Sequence, residues 1–244
     1  MLLVLLGCAA PRSASTVSKQ TFNFDYKTST LSQPGSANLL VGLVRPKYAE
    51  QFRNGQSELF ASFRQYMGND IEELLVDRGY RIKGPFDSFD DMIFEDRKDA
   101  DIALEVEIVP EFTAREGSWS TYRNIFSVSA NSANKVYYGY TGSASLIGKI
   151  NLIAYEPLSH QKIWVKSVPI PPVQNINLST ANKRLEGTNL TNEFYNDVAV
   201  YNAIGTALAQ QYASTFKKID IQLDPREFEA LRTQIKELKA KKGY

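Results

Sequence analysis

The chain has 244 residues, with 28 basic against 27 acidic side chains and a formal net charge of +1. Balanced charge leaves no field to draw it to nucleic acid, and no apolar run of about 18 residues is present to span a bilayer as a helix. A single histidine, His160, and a single cysteine, Cys8, remove most zinc, iron and Ser-His-Asp chemistry. Hydrophobic content of 43%, with 13 Phe and 13 Tyr, is enough for one large domain or two small ones.

Residues 1–8 end in Leu5-Leu6-Gly7-Cys8, which reads as a lipobox whose cysteine is acylated and left as the mature N-terminus. The apolar stretch is short and lacks a basic region before it, so the true start is expected upstream of Met1. Several acyl chains anchor a protein stably where one would not. Ala9 after the cysteine, with no Asp, points to the outer membrane of a bacterium. Residues 9–18 are small and polar, the composition of a flexible tether.

Within 19–27, Phe22, Phe24 and Tyr26 alternate with Asn23 and Asp25, the pattern of a half-buried strand. The run from Asn38 to Val44 reads as a short continuous apolar stretch and stops at Arg45-Pro46, so it predicts a central strand covered on both faces. From Gln56 to Arg78 the positions Leu59, Phe60, Phe63, Tyr66, Met67, Ile71, Leu74 and Leu75 repeat at three and four, predicting a long helix ended by Gly79. A short strand follows at 80–83. The acidic stretch 85–101 is broken by Phe86, Phe89, Met92, Ile93 and Phe94. It reads as a solvated loop anchored by apolar residues rather than a calcium loop. Ile102, Leu104, Val106 and Ile108 alternate with Glu105 and Glu107, a strand with its acids facing out.

Residues 112–142 hold Trp119, Tyr122, Phe126, Tyr137, Tyr138 and Tyr140 among Ser, Asn, Gly, Arg115 and Arg123. They predict either a long hairpin whose aromatics pack on the sheet or a recognition loop. Arg115, Trp119, Tyr122 and Arg123 are the candidate ligand-binding residues, because aromatics with Arg suit sugar faces and protein hot spots. Residues 145–155 and 162–168 predict a strand pair, with His160 exposed in the turn and the second strand ended at Pro169. Residues 173–195 read as loop.

Asn196-Asp197 is a candidate N-cap for a second long helix, whose stripe is Tyr201, Ile204, Leu208, Tyr212, Phe216 and Ile219. Asp224-Pro225 opens a third helix. Its stripe of Phe228, Leu231, Ile235 and Leu238 either docks on the core or contacts a partner. Its lysines, Lys236, Lys239, Lys241 and Lys242, favour the helix C-terminus.

These elements predict an α/β (α+β) fold: one mixed, mostly antiparallel sheet, two long helices on one face, and a C-terminal helix. The expected divisions are a signal remnant at 1–8, a tether at 9–18, a domain at 19–223 and a basic amphipathic helix at 224–244. No cofactor is expected. No paired nucleophile and base, phosphate loop or metal cluster argues for an enzyme.

Residues 22–28, 39–46, 77–82, 155–159 and the Lys/Glu-rich tail 235–242 resemble, in matching order, the neuraminyllactose-binding haemagglutinin lipoproteins. These are Helicobacter-type outer-membrane proteins also described as flagellar sheath adhesins. The resemblance implies a surface lipoprotein that binds host glycans. The expected partners are the membrane, through the N-terminal lipid, and a host glycan or surface protein, with a homo-oligomer as a further option. The family's sialyl-lactose motif is a basic stretch with a Lys-Arg-Thr core, just after the strand matching 102–110. Here that place has only Arg115 as a base, between Glu111 and Glu116, so no binding residue carries over. The alternative function is a structural lipoprotein of the envelope or flagellar sheath, acting through protein contacts.

Overall fold

The computed structural model describes residues 18–27, 39–123, 136–180, 185–186 and 190–242. The apolar run forms β1 (Leu40–Val44), inside the sheet and with four of its five residues buried. A two-residue strand, β2 (Lys47–Tyr48), follows. The chain then crosses over through α1 (Glu58–Asp77) to β3 (Arg81–Phe86), which pairs parallel to β1. Gly79, at φ 83°, ends α1. Its N–H donates to Val76 and that of Tyr80 donates to Leu75. This double closure needs a left-handed residue, which glycine supplies without a Cβ clash.

The acidic stretch is more ordered than its composition suggests. Ser88 and Asp91 bond reciprocally around a 3₁₀ turn (Phe89–Asp91), and α2 (Phe94–Asp99) follows. Phe89 and Met92 are buried with Val44, Ala100 and Ala103 on the sheet face away from the long helices, so the expected loop is a capped, anchored cover.

β4 (Ile102–Arg123) and β5 (Val136–Glu156) form one long antiparallel hairpin, and β6 (Gln161–Asn177) pairs with β5. The order is β3-β1-β4-β5-β6, with β2 beside β4 and β7 (Leu185–Glu186) beside β5. β6 does not stop at Pro169. It continues through Pro171 and Pro172, which fall where its register with β5 slips between Ile170 and Val173 on this edge strand. The expected loop at 173–195 is instead the end of β6, β7 and the helix α3 (Leu190–Asn196).

Asp197 caps α4 (Val198–Gln222), its carboxylate accepting from the N–H of Ala199 at 3.0 Å and of Val200 at 3.3 Å. All six residues of the α4 stripe are buried. They pack with the α1 stripe on Ile102, Leu104, Val106 and Ile108 of β4 and on Leu146, Ile150 and Leu152 of β5. Each large side chain so buried contributes roughly 1.5–3 kcal/mol before chain ordering is counted. α5 (Pro225–Lys242) begins with proline at its first position. Phe228, Leu231 and Ile235 are buried in the same core.

Two expectations change. Glu105 does sit on the outer face but is only 5% exposed, because Lys47 pairs with it at 2.7 Å. Residues 18–27 join no ladder. They lie as an extended arm along α1 and α4, and alternation puts Phe22, Phe24 and Tyr26 against the helices. The period-two signal was correct, but the buried surface is helical. Gly205 makes room for Phe22, whose ring comes within 2.0 Å of where a Cβ would stand.

Candidate functional site

The hairpin carries β4 well past the N-terminal ends of α1 and α4. Phe112 still touches Phe60 near the start of α1, with ring centroids 6.0 Å apart. Paired rungs continue from there to Arg123 opposite Val136. Arg115 has no rung: Ala114 pairs with Ala144 and Glu116 with Ser143, leaving a bulge between them. The extra residue reverses the alternation, so Gly117 and Trp119 fall on the helix side, opposite Gly142 and Tyr140.

Trp119 is 50% exposed and its inner edge is held firmly. Tyr140 lies 5.2 Å away, Phe194 of α3 lies 5.8 Å away, and the Tyr140–Phe194 pair is T-shaped at 5.2 Å. Gly117 gives the Tyr140 ring its space, since a Cβ there would sit 2.0 Å from the phenol oxygen. The Tyr140 carbonyl accepts from Thr180 N–H at 2.9 Å, and Tyr140 N–H donates to the Thr180 hydroxyl at 3.2 Å. Phe194 continues through Tyr195 to Phe60, so a chain of rings joins the exposed tryptophan to the core. Burial raises the Tyr195 phenol pKa, keeping it neutral, against a hydrogen bond to Asn54 that lowers it.

Beside this cluster lies a polar cleft of about 430 Å³, lined by Lys19, Gln56, Ser57, Glu58 and Asn196. Lys19 crosses it to Glu58 at 2.6 Å and stands 4.7 Å from the Tyr201 ring. Among the described residues no group of three or more His, Cys, Asp or Glu is placed to hold a metal ion. No described helix is long and apolar enough to cross a membrane.

Of the four candidate ligand residues, Trp119 alone has a described side chain. Register pairs Tyr122 with Tyr137 and Arg123 with Val136 and leaves Arg115 in the bulge. Cys8 lies outside the described residues. The α5 stripe is not an open partner face: Phe228, Leu231 and Ile235 are buried within this chain and Leu238 is partly exposed. Phe228 packs on Tyr80 and Trp164, and Arg232 pairs with Asp101 at 2.9 Å, so the helix is held by its own core. His160 is exposed in its turn, as expected, and stacks on Phe89 at 3.8 Å.

Sequence reasoning missed Asp70. It interrupts the α1 stripe between Met67 and Ile71, and a lone acid at a stripe position is the signal that could have found it. The residue is 6% exposed and one carboxylate oxygen accepts from Tyr26 N–H and the Tyr212 hydroxyl, both at 2.9 Å. Burial pushes its pKa up to about 6, against those two hydrogen bonds, which lower it.

No family model and no curated relative matches the chain. Among solved structures, it is similar to a neuraminyllactose-binding hemagglutinin homolog from Helicobacter pylori: 16% identity, 88% of this chain and 98% of that one covered, TM-score 0.53. It is more distantly similar to a hypothetical protein from Chlamydia trachomatis (10% identity, 74% and 95% covered, TM-score 0.30). The same holds for rare lipoprotein B from Shewanella oneidensis (9% identity, 75% and 98% covered, TM-score 0.22). The first likeness shows a shared fold, and the other two are too loose to add to it.

Proposed function

We propose that this protein is a bacterial outer-membrane lipoprotein, held by acyl chains on Cys8, and that its distal hairpin is an adhesin surface for host glycans. The observation that carries the reading is Trp119, half exposed yet fixed by Tyr140 and Phe194 at the far end of a long strand pair. A rigid aromatic face of this kind stacks on a sugar ring with little loss of side-chain entropy. The solved fold relative is described as a neuraminyllactose-binding hemagglutinin homolog, which agrees with a glycan ligand. A sialic acid carboxylate would want fixed cationic donors beside the ring. Sialyl specificity is not carried over, since the basic stretch that the resemblance implies has only Arg115 here.

The test is a glycan array with the unlipidated Cys8→Ser protein and its Trp119→Ala variant. Binding that weakens about tenfold, ~1.4 kcal/mol, in the variant supports the reading. No binding by the parent, or equal binding by both, removes it.

One observation favours the second reading, a structural lipoprotein of the envelope or flagellar sheath. The chain enters its folded body at the hairpin end, where Lys19 meets Glu58 at the start of α1. Protease shaving of intact cells separates the two: full protection removes the adhesin, and cleavage supports it.

A further inference from the structure

We infer that the polar cleft between the first turn of α1 and the end of α3 is a saccharide subsite, where the hydroxyl groups of one neutral sugar residue are hydrogen-bonded. It rests on the glycan reading of the proposed function and gives that reading a second contact, apart from the Trp119 face.

Ser57 is the starting point. It is the N-cap residue of α1, yet its side chain caps nothing. An N-cap serine ordinarily accepts from the N–H two or three residues on. Here the hydroxyl has no hydrogen-bond partner, although the residue is only 8% exposed. A buried polar atom in that state carries a desolvation penalty that a bound hydroxyl would offset. The backbone beside it is open as well. Ser57 N–H donates to the Asn54 carbonyl at 3.0 Å, and the first bond of α1 runs from Ala61 N–H to the Ser57 carbonyl. The N–H groups of Glu58, Leu59 and Phe60 therefore have no partner within the helix. Ser57 lines a cleft of about 430 Å³, inside the range of about 300–1,000 Å³ that small-molecule sites occupy.

The walls of the cleft set the class of ligand. Gln56 and Asn196 bring exposed side-chain amides, each a donor and an acceptor at once. Lys19 and Glu58 add one ammonium and one carboxylate, 2.6 Å apart, so together they bring no net charge. Asp197 follows Asn196, but its carboxylate is turned to the N–H groups of Ala199 and Val200 and offsets the positive end of α4. An anion in the cleft would meet Glu58. A cation would meet Lys19 and the positive end of α1. A hydroxyl donates to one neighbour and accepts from another, so it suits a wall where both kinds stand side by side. A neutral sugar ring, with hydroxyls in fixed positions, engages several of these groups together.

α3 joins the cleft to the hairpin. Its Phe194 touches Trp119 with ring centroids 5.8 Å apart, and Asn196 lies two residues further along. Residues two apart on a helix point to different sides. The Trp119 face and the cleft therefore flank α3, whose Tyr195 packs on Phe60 at 5.5 Å. An oligosaccharide is long enough to bridge a helix about 10 Å across. The cleft has no open ring of its own, since Tyr201 beside Lys19 is buried. Hydrogen bonding is its part, and stacking is left to Trp119.

The test uses the full chain as the Cys8→Ser protein and titrates it calorimetrically with neutral oligosaccharides of increasing length. Ser57→Ala and Asn196→Ala should each weaken binding of the longer ones about two- to ten-fold, the worth of one hydrogen bond. Shorter ones that reach only Trp119 should bind parent and variants alike. The urea midpoint of Ser57→Ala should be no lower than the parent's, because the hydroxyl caps nothing. Raising salt from about 0.1 to 1 M should leave the affinity unchanged. A several-fold fall with salt assigns a charged ligand and overturns the inference. Equal binding by parent and both cleft variants also overturns it, and a loss confined to Trp119→Ala would then leave the adhesin surface standing. Loss in the cleft variants with Trp119→Ala unaffected removes the Trp119 surface and keeps the cleft. A parent that binds no neutral oligosaccharide overturns the inference whatever Trp119 does.

Discussion

Phe24→Ala tests how the arm is attached. The ring is 1% exposed and sits between Phe63 at 5.0 Å, Tyr212 at 5.4 Å and Tyr66 at 5.9 Å, so it fills a socket between α1 and α4. Truncating a buried phenylalanine costs about 3–5 kcal/mol when the cavity cannot close. The arm has no ladder bonds and can shift inward, which places the expected loss at about 3 kcal/mol. For a domain of this size that is a fall of roughly 6–12 °C in melting temperature. Urea unfolding gives the free energy, and hydrogen exchange at Tyr26 N–H, which donates to Asp70, reports whether the arm has let go. Gly205→Ala, which takes the space of the Phe22 ring, should speed the same exchange by an independent route. A loss below about 1 kcal/mol with Tyr26 exchange unchanged would refute the claim that the aromatic socket holds the arm.

Asp70 predicts a pH dependence of known sign. Its folded pKa of about 6 exceeds the ordinary carboxylate value, so the native state binds the extra proton. Stability from this group is full below about pH 4 and is lost as pH rises to 6, by about 3 kcal/mol. Asp70→Asn should flatten that slope and stabilise the protein at pH 7, as read by urea midpoints across pH 4–8; an unchanged slope would assign it elsewhere. Arg78 joins the end of α1 to α4 through Asp220 and also donates to the Leu223 carbonyl at 3.1 Å. Arg78→Met should cost about 3 kcal/mol, because Asp220 stays behind in a partly buried place; a change within about 0.5 kcal/mol would show the pair to be ordinary surface charge. Deleting Arg115 removes a residue with no rung, so it should leave the near-ultraviolet circular dichroism of the Trp119 cluster intact. Deleting Ser118, which pairs with Thr141, should abolish that signal, and equal effects would show that the bulge does not set the register.

The long helices and the β4 core strand were legible because one period ran through each. Leu59 to Leu75 of α1, Tyr201 to Ile219 of α4 and Ile102 to Ile108 of β4 face one continuous core, and each local pattern agrees with its tertiary place. Two departures have separate causes. Alternation says which side chains are buried and leaves open what buries them. Phe22, Phe24 and Tyr26 alternate as in a strand, yet their groove is walled by helices. The β6 edge has Pro169, Pro171 and Pro172 where sequence reasoning stops a strand. It has a partner on one side only, and Pro171 and Pro172 fall where its register with β5 slips between Ile170 and Val173.

The site was less legible for a geometric reason. From Phe112, strict alternation puts Trp119, seven residues on, on the opposite face from the core. The unpaired Arg115 adds one step and returns Trp119 to the side of Tyr140 and Phe194. A bulge leaves little trace in composition, since the extra residue need only tolerate a local kink. A second fact was equally hidden: the polar segment behind Cys8 is tied down at Lys19, next to the hairpin. Where the arm enters depends on which way it lies along α1, and that is set by Phe24 against Phe63 and Tyr26 against Asp70.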